Sequence, residues 1–300
     1  MTLAVDIGGS AVRAARLTAD GNIGPVSELP LEARVTRREL QERIEHVLSA
    51  LDPRSDLDDS VGVAVPAFLG DDGRVRFAIN LPALEGVDPG ELLKRATGSL
   101  TVVPITDVAA AALAEARLGA GQGVERFLCV TLGTGANAAM VVGGRLLATA
   151  FGCLGDAGHV VVEPDGPACL CGGRGCLEAI ASGVALAREG SAFGFDTARA
   201  VVEAALDDHR EARATVARAG RALGRAIAIW AALLWPERVA VSGGLSAAGE
   251  LLLGPARDEM SRVGADYIVG QIEVVRADFG STATLVGAGL FSYHMTMEEG

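Results

Sequence analysis

The chain has 300 residues, half of them apolar and only 21% charged, which leaves ample material for a core and excludes extended disorder. A formal charge of −12, with no basic stripe to neutralise phosphates, excludes a conventional DNA- or RNA-binding protein. No long apolar run suited to a membrane span is present, and Met1-Thr2-Leu3-Ala4-Val5-Asp6 lacks the pattern of a secretion signal, so a cytoplasmic protein is expected.

The first expected strand, Leu3-Ala4-Val5-Asp6-Ile7, runs straight into Gly8-Gly9-Ser10. A second strand with period-two alternation follows at 12–17, so the glycines read as a tight hairpin. Leu40, Ile44, Val47, Leu48 and Leu51 recur at helical spacing over 37–51. Residues 61–65 form a buried strand that Pro66 ends, and 101–105 another that leads to Asp107 and an alanine-rich helix at 108–118. The strand at 127–132 then ends in Gly133-Thr134-Gly135 and is followed by a strand at 138–142. Strand, glycine turn, strand is thus used twice, which predicts a duplicated α/β unit with a cleft between the halves, divided as 1–115 and 116–300. Further on come helices at 197–206 and 210–233, a strand at 239–242 that runs into Gly243-Gly244, and a strand at 272–275. A final helix at 283–293 is expected to pack back on the first half.

Asp6, followed by Gly8, Gly9 and Ser10, places an acid at a strand end beside glycines that let a phosphate approach the backbone, and its carboxylate can hold Mg2+ directly or through water. Gly133-Thr134-Gly135 offers a second phosphate loop with a hydroxyl, and Gly243-Gly244 a third turn where adenosine can lie against the backbone. Glycine turns after strands are common singly; three in sequence point to a nucleotide held between two lobes. None is a Walker loop, which needs Lys after Gly, and no G-x-G-x-x-G fingerprint follows the first strand. Asp107 ends an apolar strand and precedes a helix, so it reads either as a helix N-cap or as a base that deprotonates a substrate hydroxyl.

Of five cysteines, three fall within Cys169-Leu-Cys171-Gly-Gly-Arg-Gly-Cys176, close after Gly158-His159. A Cys3His set suits tetrahedral Zn2+, and the alternatives are three unrelated thiols or a disulfide. Cys129 reads as a small core residue, and Cys153 as another or as a spare ligand. Asp156 and Glu178 flank the loop as free carboxylates.

Taken together, Asp6-Ile7-Gly8-Gly9, Asn80-Leu81-Pro82, Asp107 with Ala110 to Glu115, Leu132-Gly133-Thr134-Gly135, Gly158-His159 and Cys169 to Glu178 resemble the ROK proteins, a family of sugar kinases and repressors. The resemblance runs from Leu3 to about Phe291. It implies a two-lobed, actin-like (ribonuclease-H-like) ATPase fold with a zinc-binding loop, and ATP-dependent phosphorylation of the primary hydroxyl of a hexose or hexose-like sugar. By the same resemblance His159, Cys169, Cys171 and Cys176 are the ligands of a structural Zn2+, and Asp107 is the catalytic base. Asn80, Thr106, Asp107, Asp156, His159 and Glu178 would contact the sugar, ATP and Mg2+ would be the cofactors, and the protein would be a homodimer.

Departures from the family pattern bear on the substrate. Thr106 stands where an asparagine usually precedes the base, and Asp156 shortens the usual glutamate by one methylene. Ser10-Ala11 replaces Thr-Lys, and Ala136-Asn137 replaces a small residue followed by glycine. These changes make plain glucose less expected than in a standard family sequence, and an aminohexose, an N-acetylated hexosamine or a cyclitol would exploit them. A transcriptional regulator of the same family would carry an added DNA-binding segment before the first phosphate-loop strand, which here starts at residue 3. A non-catalytic sugar-binding protein is the remaining alternative, and retention of Asp6 and Asp107 speaks against it.

Overall fold

The computed structural model describes residues 1–32, 35–51, 60–98, 101–149 and 154–298, so Cys153 lies outside the described residues. The chain forms two compact units, one of Met1–Ala114, Leu146–Gly155 and Thr282–Gly300, the other of Glu115–Arg145 and Asp156–Ser281.

In the first unit, β1 (Thr2–Ile7) and β2 (Ala11–Leu17) make the expected hairpin, with Ile7 opposite Val12, and β3 (Ser27–Pro30) extends it. After α1 (Arg37–Ser49), β4 (Ser60–Val65) lies parallel to β1. A small ribbon of β5 (Phe68–Leu69) and β6 (Val75–Phe77) and helix α2 (Pro89–Thr97) precede β7 (Thr101–Thr106), which lies parallel to β4. The sheet order is β3-β2-β1-β4-β7. All six residues of β1 and of β4 are buried, as expected for strands covered on both faces.

Helix α1 starts with a capping box, Thr36 and Glu39 each bonding the other's backbone amide, and turns Leu40, Ile44, Val47 and Leu48 inward. The α10 helix (Ala283–Glu298) packs on β1 and β4. Gly62 makes that approach possible: a Cβ there would stand 2.0 Å from the carbonyl oxygen of Ala288. Ser60 and Ser292 seal the contact with a buried hydroxyl–hydroxyl bond of 2.8 Å.

The second unit begins in the last turn of α3 (Asp107–Leu118). Its hairpin is β8 (Arg126–Leu132) and β9 (Ala136–Val142), followed by β10 (Arg145–Leu146). Helices α4 (Leu177–Ala181), α5 (Gly183–Gly190), α6 (Ala198–Leu206) and α7 (Arg210–Leu234) come next. Strand β11 (Arg238–Ser242) pairs parallel with β8, and after α8 (Glu250–Val263) and α9 (Asp266–Val269), β12 (Glu273–Arg276) pairs parallel with β11. The order β10-β9-β8-β11-β12 repeats that of the first sheet, hairpin first and parallel strands after. This is the duplicated α/β architecture of the actin-like class expected from the sequence. No helix among the described residues is long and apolar enough to cross a membrane.

Candidate active site and metal-ligand cluster

In the first unit the polar residues gather at the carboxyl ends of parallel strands, where open α/β sheets bind ligands. Asp6 pairs in register with Ala64, and Ala64 with Ile105, so Asp107 stands just past the same edge. Asp6 is 2% exposed and meets the Arg13 guanidinium at 2.9 Å from the neighbouring strand. Burial pushes Asp6 up to about 6 against the pull of Arg13. Asp107 keeps part of its surface open and accepts the Val108 amide at 2.8 Å. Burial of its carboxyl, with the charge of Asp6 adding, pushes it up to about 7.

Thr106 is buried, and its hydroxyl has no partner among the described residues. Asn80 is exposed in the turn after β6, anchored by the buried Leu81 beside it, and its amide has no partner among the described residues. The Gly8 amide closes the first hairpin onto the Ala11 carbonyl at 2.8 Å. The amides of Gly9 and Ser10 have no backbone partner among the described residues.

The second hairpin repeats this feature. Gly133 donates to the Gly135 carbonyl at 2.9 Å, while its own carbonyl accepts the Gly183 amide at the start of α5. The amides of Thr134 and Gly135 have no partner among the described residues, an arrangement suited to an anion. Gly243 and Gly244 lie at the end of β11, where a 3-10 turn begins.

The cysteine loop folds as a compact knot. Bridges pair Val161 with Cys176 and Ala168 with Arg174, and the Cys169 amide reaches the Gly173 carbonyl at 2.9 Å. The ligand atoms of His159, Cys169, Cys171 and Cys176 then all lie within 4.8 Å of one another. The Cys171 and Cys176 sulfurs are 3.7 Å apart, and the Cys169 sulfur is 3.4 Å from His159 Nδ1. Tetrahedral Zn2+ bonds of about 2.3 Å to sulfur and 2.0 Å to nitrogen give ligand–ligand separations of roughly 3.5–3.8 Å, so the four residues fit that ion. All three thiols are free, which sets the disulfide alternative aside. The Gly173 amide helps hold Cys171 below the ordinary thiol range, while burial pushes the Cys169 and Cys176 thiols up.

His159 divides its two nitrogens. Nδ1 faces the sulfurs, while Nε2 lies 3.3 Å from Asp156 and 4.0 Å from Glu178. Glu178 accepts the Ala136 amide at 3.0 Å from the first turn of α4, and Gly158 lies so close to β9 that a Cβ would sit 1.7 Å from the Ala136 carbonyl oxygen. Burial pushes the Asp156 carboxyl up, with Glu178 adding and His159 opposing. Metal cluster and carboxylates thus form one rigid wall carried by β9.

Sequence reasoning assigned no role to Arg13, whose position opposite Asp6 follows from hairpin register alone. It likewise assigned none to Asn137, which accepts the Ala157 amide at 3.1 Å, or to Glu163, which the Arg218 and Arg225 side chains of α7 hold at 2.9 and 3.2 Å. The latter two needed contacts far apart in sequence.

A Streptomyces griseus ROK family glucokinase, solved with glucose and AMPPNP, has a similar structure, with a TM-score of 0.87 and 30% identity over 98% of this chain and 99% of that one. Among relatives in sequence, a Thermotoga maritima glucokinase is 34% identical, with 95% of each chain covered. An Escherichia coli O139:H28 N-acetylmannosamine kinase is 32% identical, over 97% of this chain and 98% of that protein. The ROK family model itself matches residues 2–293, which takes in both hairpins, the Cys/His cluster and most of the last helix, and the chain belongs to the ROK family.

Proposed function

We propose that this chain is an ATP-dependent sugar kinase that phosphorylates the primary hydroxyl of a hexose, aminohexose or N-acetylhexosamine, with Asp107 as general base. The observation that carries this reading is the position and acidity of Asp107. It stands at the ligand-binding edge of the sheet beside Asp6, with its carboxyl raised to about 7. A base poised near working pH can accept the hydroxyl proton as the phosphoryl group is transferred. The Val108 amide on one carboxylate oxygen fixes the side chain while the other oxygen stays available.

Asn80, Thr106, Asp156, His159 and Glu178 supply the contacts to sugar hydroxyls, since planar amides and carboxylates each make two hydrogen bonds. The free amides of Gly9, Ser10, Thr134 and Gly135 receive phosphate oxygens, and Gly243 and Gly244 the adenosine. Asp6 would hold Mg2+, which neutralises charge on the phosphates when bound. His159, Cys169, Cys171 and Cys176 would hold Zn2+ in a structural role, because protein fills all four positions. A cyclitol is the second reading, favoured by the unpartnered Thr106 hydroxyl and the shortened Asp156 side chain. We further propose a cytoplasmic homodimer that binds no nucleic acid.

Coupled ADP release against a panel of hexoses, aminohexoses, N-acetylhexosamines and cyclitols tests the activity. Asp107→Asn should abolish phosphorylation with unchanged circular dichroism. Wild-type turnover in that variant would remove Asp107 from the chemistry, and no ADP release with any acceptor would remove the kinase reading.

A further inference from the structure

Asn137 stands second in β9, where its side-chain oxygen accepts two backbone amides, Ala138 at 2.8 Å and Ala157 at 3.1 Å. Both partners are N–H donors, so the orientation of the amide is determined and its NH2 group must point the other way. That NH2 has no partner among the described residues and is not enclosed by protein.

Its surroundings are specific. Ala157 is the residue between Asp156 and Gly158-His159, and Ala136, next to Asn137, donates its amide to Glu178. Thr131, directly opposite Asn137 on β8, has a buried hydroxyl with no partner among the described residues. The Asn137 NH2 is thus left as a donor on the segment tied through the Ala157 amide to Asp156 and His159, and through the neighbouring Ala136 amide to Glu178.

We propose that Asn137 is a specificity-determining residue that donates to the sugar and selects a hydroxyl or an N-acyl group, and rejects a protonated amine, at the position it faces. The proposal rests on the sugar-kinase reading above and narrows its substrate class. A hydroxyl can accept from Asn137 while donating to Asp156 or Glu178, and an acyl carbonyl can accept from Asn137. An ammonium group has no lone pair to accept from the amide, so Asn137 opposes at that position the attraction that Asp156 and Glu178 exert on a cation, and the unmatched donor discriminates against the amine relative to a hydroxyl or acyl group.

Asn137→Asp removes the NH2 while its carboxylate still accepts the Ala138 and Ala157 amides, but it also adds a negative charge, so the neutral sugars read the loss of the donor and the uncharged Asn137→Ala must move the glucosamine-to-glucose ratio in the same direction. Steady-state kinetics would be measured with glucose, glucosamine, N-acetylglucosamine, mannose and N-acetylmannosamine, at a pH where the free amine is protonated. In the variant, kcat/KM for the preferred hydroxy or N-acyl sugar should fall at least about tenfold. The glucosamine-to-glucose ratio should rise by a similar factor while KM for ATP stays fixed. Unchanged sugar ratios in Asn137→Asp, with loss only in Asn137→Ala, would make Asn137 a loop tether and overturn the proposal while leaving the kinase reading intact. Calorimetric sugar binding by the same variants gives the same ratios if no turnover is seen. A wild-type protein that binds none of the five sugars overturns both.

Discussion

Glu115 is completely buried near the end of α3, and its carboxylate is held by backbone amides. One oxygen accepts Ala120 and Asp278, each at 3.0 Å, and the other accepts Phe279 at 2.8 Å. The last two amides stand just before the turn that leads into α10, so the carboxylate acts as a distant cap for that turn. Replacing Glu115 with alanine would leave three part-buried amides without their acceptor and open a cavity. Each unsatisfied donor costs about 1–3 kcal/mol, but the penalty of burying the charge is recovered, so the net loss should be about 3–5 kcal/mol. For a chain this long that corresponds to a fall of roughly 5–8 °C in melting temperature. Glu115→Gln should lie between, because its oxygen can keep two amides while its NH2 faces the third donor. Urea and thermal unfolding of the three proteins give the order directly. Glu115→Ala as stable as wild type, or Glu115→Gln no more stable than Glu115→Ala, would refute the reasoning.

Removing the metal should act on the wall that carries Asp156 and Glu178: chelation or Cys176→Ser is expected to lower the melting temperature and raise the sugar KM while the ATP KM changes little. Emission spectrometry should find one zinc per wild-type chain, and a zinc-free protein of equal stability would contradict the assignment. The acid limb of kcat/KM should have its midpoint near about 7, because Asp107 is raised above the ordinary carboxyl range and must lose its proton to act. Activity therefore falls as pH drops through that value, and a profile flat down to about pH 5 would exclude Asp107 as base. Glu259, 5% exposed, is held down to about 2 by Arg262 and Arg225, whose bonds to it measure 2.6–2.8 Å. With its folded value below its unfolded one, it stabilises fully above the ordinary carboxyl range and loses that contribution as pH falls toward 2. Glu259→Gln should thus cost about 1–2 kcal/mol at neutral pH, with the gap closing in that acid window in urea titrations.

What the sequence makes legible is what chemistry keeps local. The β1–β2 and β8–β9 hairpins could be read because a glycine turn fixes the register of the strands on either side. The four metal-ligand atoms could be read because eighteen positions, 159–176, hold all of them. The small ribbon of β5 and β6 and the short helices α4 and α5 were not, since each has too few residues for a period to show. Glu115 stood out only as part of a motif, because the amides it caps lie more than 160 residues further on.

Asn137 shows the same limit from the other side. The family resemblance implies that an amide stands where a glycine is usual, but that alone does not say which end of the amide is left free. That is decided by the Ala157 amide, twenty residues away, which takes the oxygen and leaves the nitrogen. His159 poses the equivalent question, and the sulfur next to Nδ1 answers it by leaving Nε2 to the carboxylates. On the proposed sugar-kinase reading, substrate choice would be set less by which polar residues line the wall than by which of their atoms the backbone and the metal-ligand cluster have already claimed.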